Sequence, residues 1–196
     1  MIKKISILLT NFIMKNKSLD DDERLVYEYC IRIILKRSLW VLLLLMLGIM
    51  TNRIIVSLIF ILTFIPLRSF CGGAHASTST ICSILSYGIS LTIIMLSPLL
   101  GELIPFIYVL IFFIFFIIPI LLLAPVDTKN KRLNPIQKKC LRTKCFIHIL
   151  LLVTLFFVFS MSRTKTYCMT LSLCVIICSI NVIIGFFQNR RNHNEH

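Results

Sequence analysis

The sequence predicts an all-α fold, a polytopic helix bundle that crosses a membrane six times, and three observations predict it. Apolar residues fill 58% of the 196 positions and the mean hydropathy is +0.93, a composition that excludes a soluble globule. The apolar residues come in runs separated by short polar segments, and several runs approach the roughly 20 residues that a bilayer crossing needs. The 21 Lys and Arg, set against 8 Asp and Glu, gather in those polar segments. Cations that flank apolar runs record membrane orientation, so the net charge of +13 is read as topogenic and no nucleic-acid partner is expected.

Each element has its own justification. Residues 1–17 carry Ile2, Ile5, Leu9, Phe12 and Ile13 at helical spacing with Lys3, Lys4, Lys15 and Lys17 around them, the pattern of an interfacial amphipathic helix drawn to anionic lipid. A signal peptide is the competing reading. Its core would be short and interrupted by Thr10-Asn11, and no small-residue cleavage site follows, so the segment is read as retained. Asp20 to Glu23 supplies a cap and first-turn anions for a second helix, with Asp20 and Glu23 at capping-box spacing, and is read as a helix start rather than a metal site.

Apolar runs follow at 39–50 and 54–67, broken by Thr51-Asn52-Arg53. One long kinked span would bury Arg53 at mid-membrane, at a cost of at least about 2.5 kcal/mol. A hairpin of two short spans, the first borrowing residues from 31–38, avoids that cost and is the reading adopted. The remaining spans are 81–96, closed by Pro98 and Gly101-Glu102; 103–123, with Pro119 near its end; 146–161; and 167–187. The domain reading is a cytoplasmic helical region at 1–37, a membrane-embedded catalytic domain at 38–188 and a tail at 189–196. With the N-terminus inside, six spans place every cation except Arg53, Arg163 and Lys165 on the cytoplasmic side, and both termini with them.

The chemistry concentrates in Arg68-Ser-Phe-Cys-Gly-Gly-Ala-His75-Ala-Ser-Thr-Ser-Thr-Ile-Cys82, a polar island in an apolar chain. Gly72-Gly73 permits positive φ and close approach of another chain. Ser77 to Thr80 offers N-caps for the following helix, placing Cys82 within its first turn or so, where the helix dipole favours the thiolate. His75 can deprotonate Cys82 and later protonate a leaving amine. A single straight helix over 75–82 would hold the two side chains about 10 Å apart along its axis, too far for a hydrogen bond, so a turn or break between them is expected. Set against this is the plain reading of both residues as packing groups. Arg68 has two readings as well: a positive-inside anchor, or a fork that fixes the Gly-Gly turn through carbonyl oxygens or grips a substrate carboxylate.

The pattern Arg68-x4-Gly73-x-His75-x6-Cys82, followed by Pro125-Val-Asp127-Thr-Lys129-Asn130-Lys131 at the end of an apolar segment, resembles the accessory gene regulator B (AgrB) family over nearly the whole chain. One departure is visible, because Arg132-Leu133-Asn134 separates that motif from Pro135. The resemblance implies an integral-membrane cysteine endopeptidase that processes a small AgrD-like pro-peptide into a cyclic autoinducing quorum-sensing peptide. It implies His75 and Cys82 as the catalytic pair, Arg68 and Gly73 as nearby functional positions with Gly72 beside them, and a homodimer. The expected step is acyl transfer through a Cys82 thioester, at the cytoplasmic face of a cell-membrane protein.

The basic segment 125–145, with Asp127, Lys129, Asn130 and Lys131 at its start, is topogenic on the plain reading and attracts an acidic substrate tail on the functional one. The eight cysteines lie in spans or on the reducing side, so no disulfide framework is expected. Cys71-x3-His75-x6-Cys82 lacks a fourth ligand at a usual zinc spacing, and neither metal nor cofactor is expected. The rival class is a non-enzymatic transporter or peptide-export subunit, in which Gly72-Gly73 would break a helix along a pathway and His75 would gate it.

Overall fold

The computed structural model describes residues 2–13, 21–74, 79–127 and 134–194. Seven helices follow one another in these residues: α1 (Ile2–Ile13), α2 (Asp21–Met50), α3 (Ile54–Cys71), α4 (Ser79–Leu103), α5 (Phe106–Leu123), α6 (Pro135–Met161) and α7 (Lys165–Asn194). Six of them, α2 to α7, are long and apolar enough to cross a membrane. The chain is an all-α, multi-pass bundle, as composition and periodicity predict. It divides into two compact units, residues 1–47 and 48–196.

In the first unit, α1 keeps its small polar groups inward: Ser6 and Thr10 are buried, and Thr10 Oγ1 donates to the Ser6 carbonyl at 2.7 Å. Ile5, Leu8, Leu9 and Phe12 are left exposed, which suits a helix lying on lipid. Arg24 of α2 donates to Asn11 Oδ1 of α1 at 2.8 Å, and Glu28 pairs with Arg32 one turn later at 2.5 Å. The capping residue Asp20 lies outside the described residues.

The break at Thr51-Asn52-Arg53 is where the hairpin reading puts it. Asn52 adopts φ 54°, and its N–H donates to Ile49 O at 3.1 Å, closing the turn. The helix before the break takes its length from 21–38, and α3 runs on past the apolar residues so that Arg68 stands in its last turn.

Expected boundaries need correcting: α2 is 30 residues long rather than a short span, α6 begins at Pro135 rather than near 146, so that Lys138 to Lys144 of the basic segment are helical, and α4 does not close at Pro98 but continues through it to Leu103. A proline inside a helix removes the N–H that would satisfy the carbonyl four residues earlier, here Ile94. Arg53 supplies the substitute, its Nη1 donating to Ile94 O at 3.3 Å and to Met95 O at 2.8 Å. With that carbonyl satisfied from outside, the helix carries on.

The second unit is organised around α7, which packs against α3, α4, α5 and α6. Half of its span is buried, against 22% for α5 and α6. Cys168, Leu171, Cys174, Val175, Cys178 and Val182 form its inner stripe. Small residues let neighbours approach and hydroxyls tie them together: Ser172 Oγ donates to Val109 O of α5 at 3.3 Å. The rings of Phe113 (α5) and Phe156 (α6) stack at 4.2 Å. On α6, His148 is buried with Nε2 3.3 Å from Thr63 O and its ring edge-on to Phe70, so it packs between α6 and α3.

Candidate active site

The site is built where α3 stops. Gly72 and Gly73 adopt φ of 69° and 111°, a region L side chains rarely enter, and this ends the helix straight after Cys71. The same two positions are pressed by backbone. A Cβ on Gly72 would collide with the Val126 carbonyl oxygen, and one on Gly73 would lie 2.8 Å from the Asn181 carbonyl oxygen and 2.9 Å from Arg68 Nη1. The sequence-level argument for the glycine pair, positive φ together with close approach, describes what both residues do.

Arg68 sits four residues back on the last turn of α3 and folds over this turn. Its Nη1 donates to the Gly72 carbonyl at 2.8 Å and to Asn181 Oδ1, and its Nη2 donates to the Ala74 carbonyl at 2.5 Å. Bonds to a charged donor are about twice as strong as neutral ones, and a planar fork can serve several acceptors at once. Of the readings open to Arg68, this geometry is the fork on carbonyl oxygens.

Two segments distant in sequence complete the turn. The 124–127 segment after α5 comes alongside, with Val126 N–H donating to Cys71 O at 2.9 Å and Gly72 bridging Val126 in parallel register. Ala124 and Val126 are buried there. From α7, Asn181 O accepts the Ala74 N–H at 3.2 Å. One turn further along α7, Gly185 gives the loop room, since a Cβ there would come within 2.6 Å of Gly73 and Ala74 backbone atoms. Neither Asn181, Val126 nor Gly185 was singled out from sequence. Asn181 had a signal, a carboxamide in the middle of an apolar span, where an unpaired polar group is costly.

A cavity of about 90 Å³ opens beside this network between α3, α4 and α7. Phe64, Leu85, Ile89 and Ile177 supply apolar walls, and Arg68, Ser86 and Asn181 the polar edge. That volume holds several waters or a medium-sized apolar group.

The predicted residues are placed as follows. Arg68, Gly72 and Gly73 come together. His75 lies outside the described residues, directly after Ala74. Cys82 is the fourth residue of α4, in its first turn, and Leu85 and Ser86, one turn on, line the cavity. Asp127 follows Val126, with Oδ2 3.8 Å from Lys138 Nζ. Lys129, Asn130 and Lys131 lie outside the described residues. Helix α6 then starts at Pro135, where Asn134 N–H donates to Gln137 Oε1 at 3.3 Å. Cys71 belongs to the packing, its buried Sγ 3.3 Å from that of Cys145.

No solved structure matches this chain. Among curated proteins, the chain is 32% identical over 146 residues to Putative AgrB-like protein 2 of Clostridium perfringens (strain 13 / Type A), covering 71% of this chain and 67% of the relative. It is also 32% identical over 110 residues to Accessory gene regulator protein B of Staphylococcus intermedius, covering 56% and 57%. The family model described as Accessory gene regulator B matches residues 6–184, and so takes in the glycine turn, Arg68, the 124–127 segment and Asn181 alike. On that match the chain belongs to the accessory gene regulator B family.

Proposed function

We propose that this chain is an integral-membrane cysteine endopeptidase that removes the C-terminal tail of a small AgrD-like pro-peptide and promotes its cyclisation to an autoinducing peptide. The observation that carries the reading is the clamp on residues 72–74: Arg68 and Asn181 hold the backbone on the N-terminal side of His75, as a catalytic loop requires. Membership of the family supports it, and so does the place of Cys82 in the first turn of α4, where the N-terminal dipole favours a thiolate.

The chemistry runs as follows. His75 takes the Cys82 thiol proton, and Cys82 Sγ attacks the scissile carbonyl carbon. The C–N bond breaks, the tail leaves as an amine carrying the proton returned by His75, and the core peptide remains as a thioester on Cys82. A thiol of the substrate then attacks that thioester, closing the ring and releasing the Cys82 thiol. A site at the rim of an apolar bundle excludes the water that would otherwise hydrolyse the thioester. In this reading both termini and the site face the cytoplasm, which the gathering of cations in the segments on that side supports. There the basic residues from Lys129 onward, next to Asp127 and Asn130, meet an acidic tail. A homodimer belongs to the same proposal.

The test is reconstitution of the full chain in lipid vesicles with a synthetic pro-peptide: an amphipathic leader, a cysteine-containing core and an acidic tail. Tail release by the wild type, and its loss in Cys82→Ala and in His75→Ala with insertion intact, is the expected result. Continued cleavage by Cys82→Ala overturns the dyad, and movement of an uncut peptide across the vesicle wall favours the export reading.

A further inference from the structure

The Gly72–Ala74 turn is held at one end by the helix it leaves, α3, through Arg68. A loop tied to one helix can still swing about it. What turns the tie into a fixed position is a second attachment on a different helix, and that attachment is Asn181 of α7. Its carboxamide oxygen accepts from Arg68 Nη1, and its backbone carbonyl accepts from the Ala74 N–H at 3.2 Å. A guanidinium has donors only, so the Asn181 atom facing it has to be the oxygen. One residue thus touches both the clamp and the segment being clamped, and Gly185 one turn later leaves the loop free to lie down on α7.

We infer that Asn181 is a positioning residue for the peptidase reaction: it aims the Arg68 fork and fixes the backbone immediately before His75, without touching substrate. The inference rests on the proposed peptidase reading, and it adds a residue on α7 to the five in the stretch 68–82. Its chemistry is specific. An acceptor of about this length is required, so Asp can stand in for Asn, whereas Leu fills the space and accepts nothing. Ser is polar but too short to reach Arg68.

Tail release is measured on the full chain in vesicles, per inserted molecule, with kcat and KM separated. Asn181→Leu should lower kcat at least about tenfold and leave KM within about threefold, because the lost interaction orients a catalytic loop and does not bind peptide. Asn181→Asp should stay within about threefold of wild type. Because Asn181 acts through Arg68, the double variant Arg68→Lys/Asn181→Leu should be about as slow as the worse single variant, not slower by the product of both losses. If Asn181→Leu fails to insert, Asn181→Ser gives the same readout. An Asn181→Leu or Asn181→Ser chain with wild-type kcat overturns the inference, and so does a double variant whose losses multiply; in both cases wild-type cleavage dependent on Cys82 leaves the peptidase reading standing. A wild-type chain that releases no tail overturns both.

Discussion

Arg53 supplies a hydrogen bond that Pro98 removes. The proline sits inside α4 and leaves Ile94 O without its helical partner, and Arg53 Nη1 reaches that carbonyl at 3.3 Å and its neighbour Met95 O at 2.8 Å. Arg53 thus replaces from outside the helix the bond that Pro98 takes away. Arg53→Leu should therefore destabilise the protein by about 1–3 kcal/mol, the usual cost of a buried acceptor left unsatisfied. In a Pro98→Ala background, where the helix supplies its own N–H, the loss should shrink by about 1 kcal/mol or more. Thermal unfolding of the four chains in detergent reads this coupling, and equal losses in both backgrounds would refute it.

Arg68→Lys tests the fork against a bare charge. A lysine keeps the positive end of α3, so insertion and topology should be unchanged. Its single ammonium cannot serve Gly72 O, Ala74 O and Asn181 Oδ1 in their places. Tail release should fall at least about tenfold, equivalent to about 1.4 kcal/mol of transition-state stabilisation. Undiminished processing would show that Arg68 is an anchor.

Gly185→Ala and Gly88→Ala make a matched pair of one-carbon changes in membrane helices. At Gly185 the new Cβ would come within 2.6 Å of Gly73 and Ala74 backbone, which cannot give way as a flexible side chain would; at Gly88 nothing lies within 4 Å. The first substitution should push the loop off α7 and cut tail release at least about tenfold. The second should be neutral or, by helix propensity, stabilising by up to about 1 kcal/mol. Melting midpoints and cleavage rates of the two variants, run together, decide the point.

The cysteines should sort by exposure. Cys30 and Cys140 are exposed, whereas Cys71, Cys145, Cys168, Cys174 and Cys178 are buried. A water-soluble maleimide should modify the first two in native protein and reach the other five only after denaturation. A peptide electrophile should in addition label Cys82, and that label should vanish in His75→Ala. Mass spectrometry of tryptic fragments distinguishes this pattern from uniform modification, which would refute it.

Much of this was legible along the chain because its causes are local. A polar triplet in an apolar run marked the turn at 51–53, and the paired glycines marked a turn with positive φ, although the helix before them runs on past the expected end at 67. The features that escaped have partners far away. Pro98 reads as a stop until Arg53, 45 positions earlier, is known to face it. Val126 looks like part of a loop until its N–H is found on Cys71. Asn181 belongs to no motif, and its role exists only where α3 and α7 meet.

The burial of α7 also bears on the order of biogenesis. This helix is the last of the seven to be made, yet it carries Asn181 and Gly185, the floor on which the turn before His75 rests. A nascent chain that has inserted α2 to α6 already holds Arg68, Gly72, Gly73, His75 and Cys82, but nothing from α7 to lay them against. On the proposed peptidase reading, activity is therefore expected to switch on late, when α7 enters the bundle, and a half-made molecule would cut nothing. Chains cut short before Lys165, inserted into vesicles and assayed for tail release, should be silent, and adding α7 as a separate peptide should restore a measurable rate.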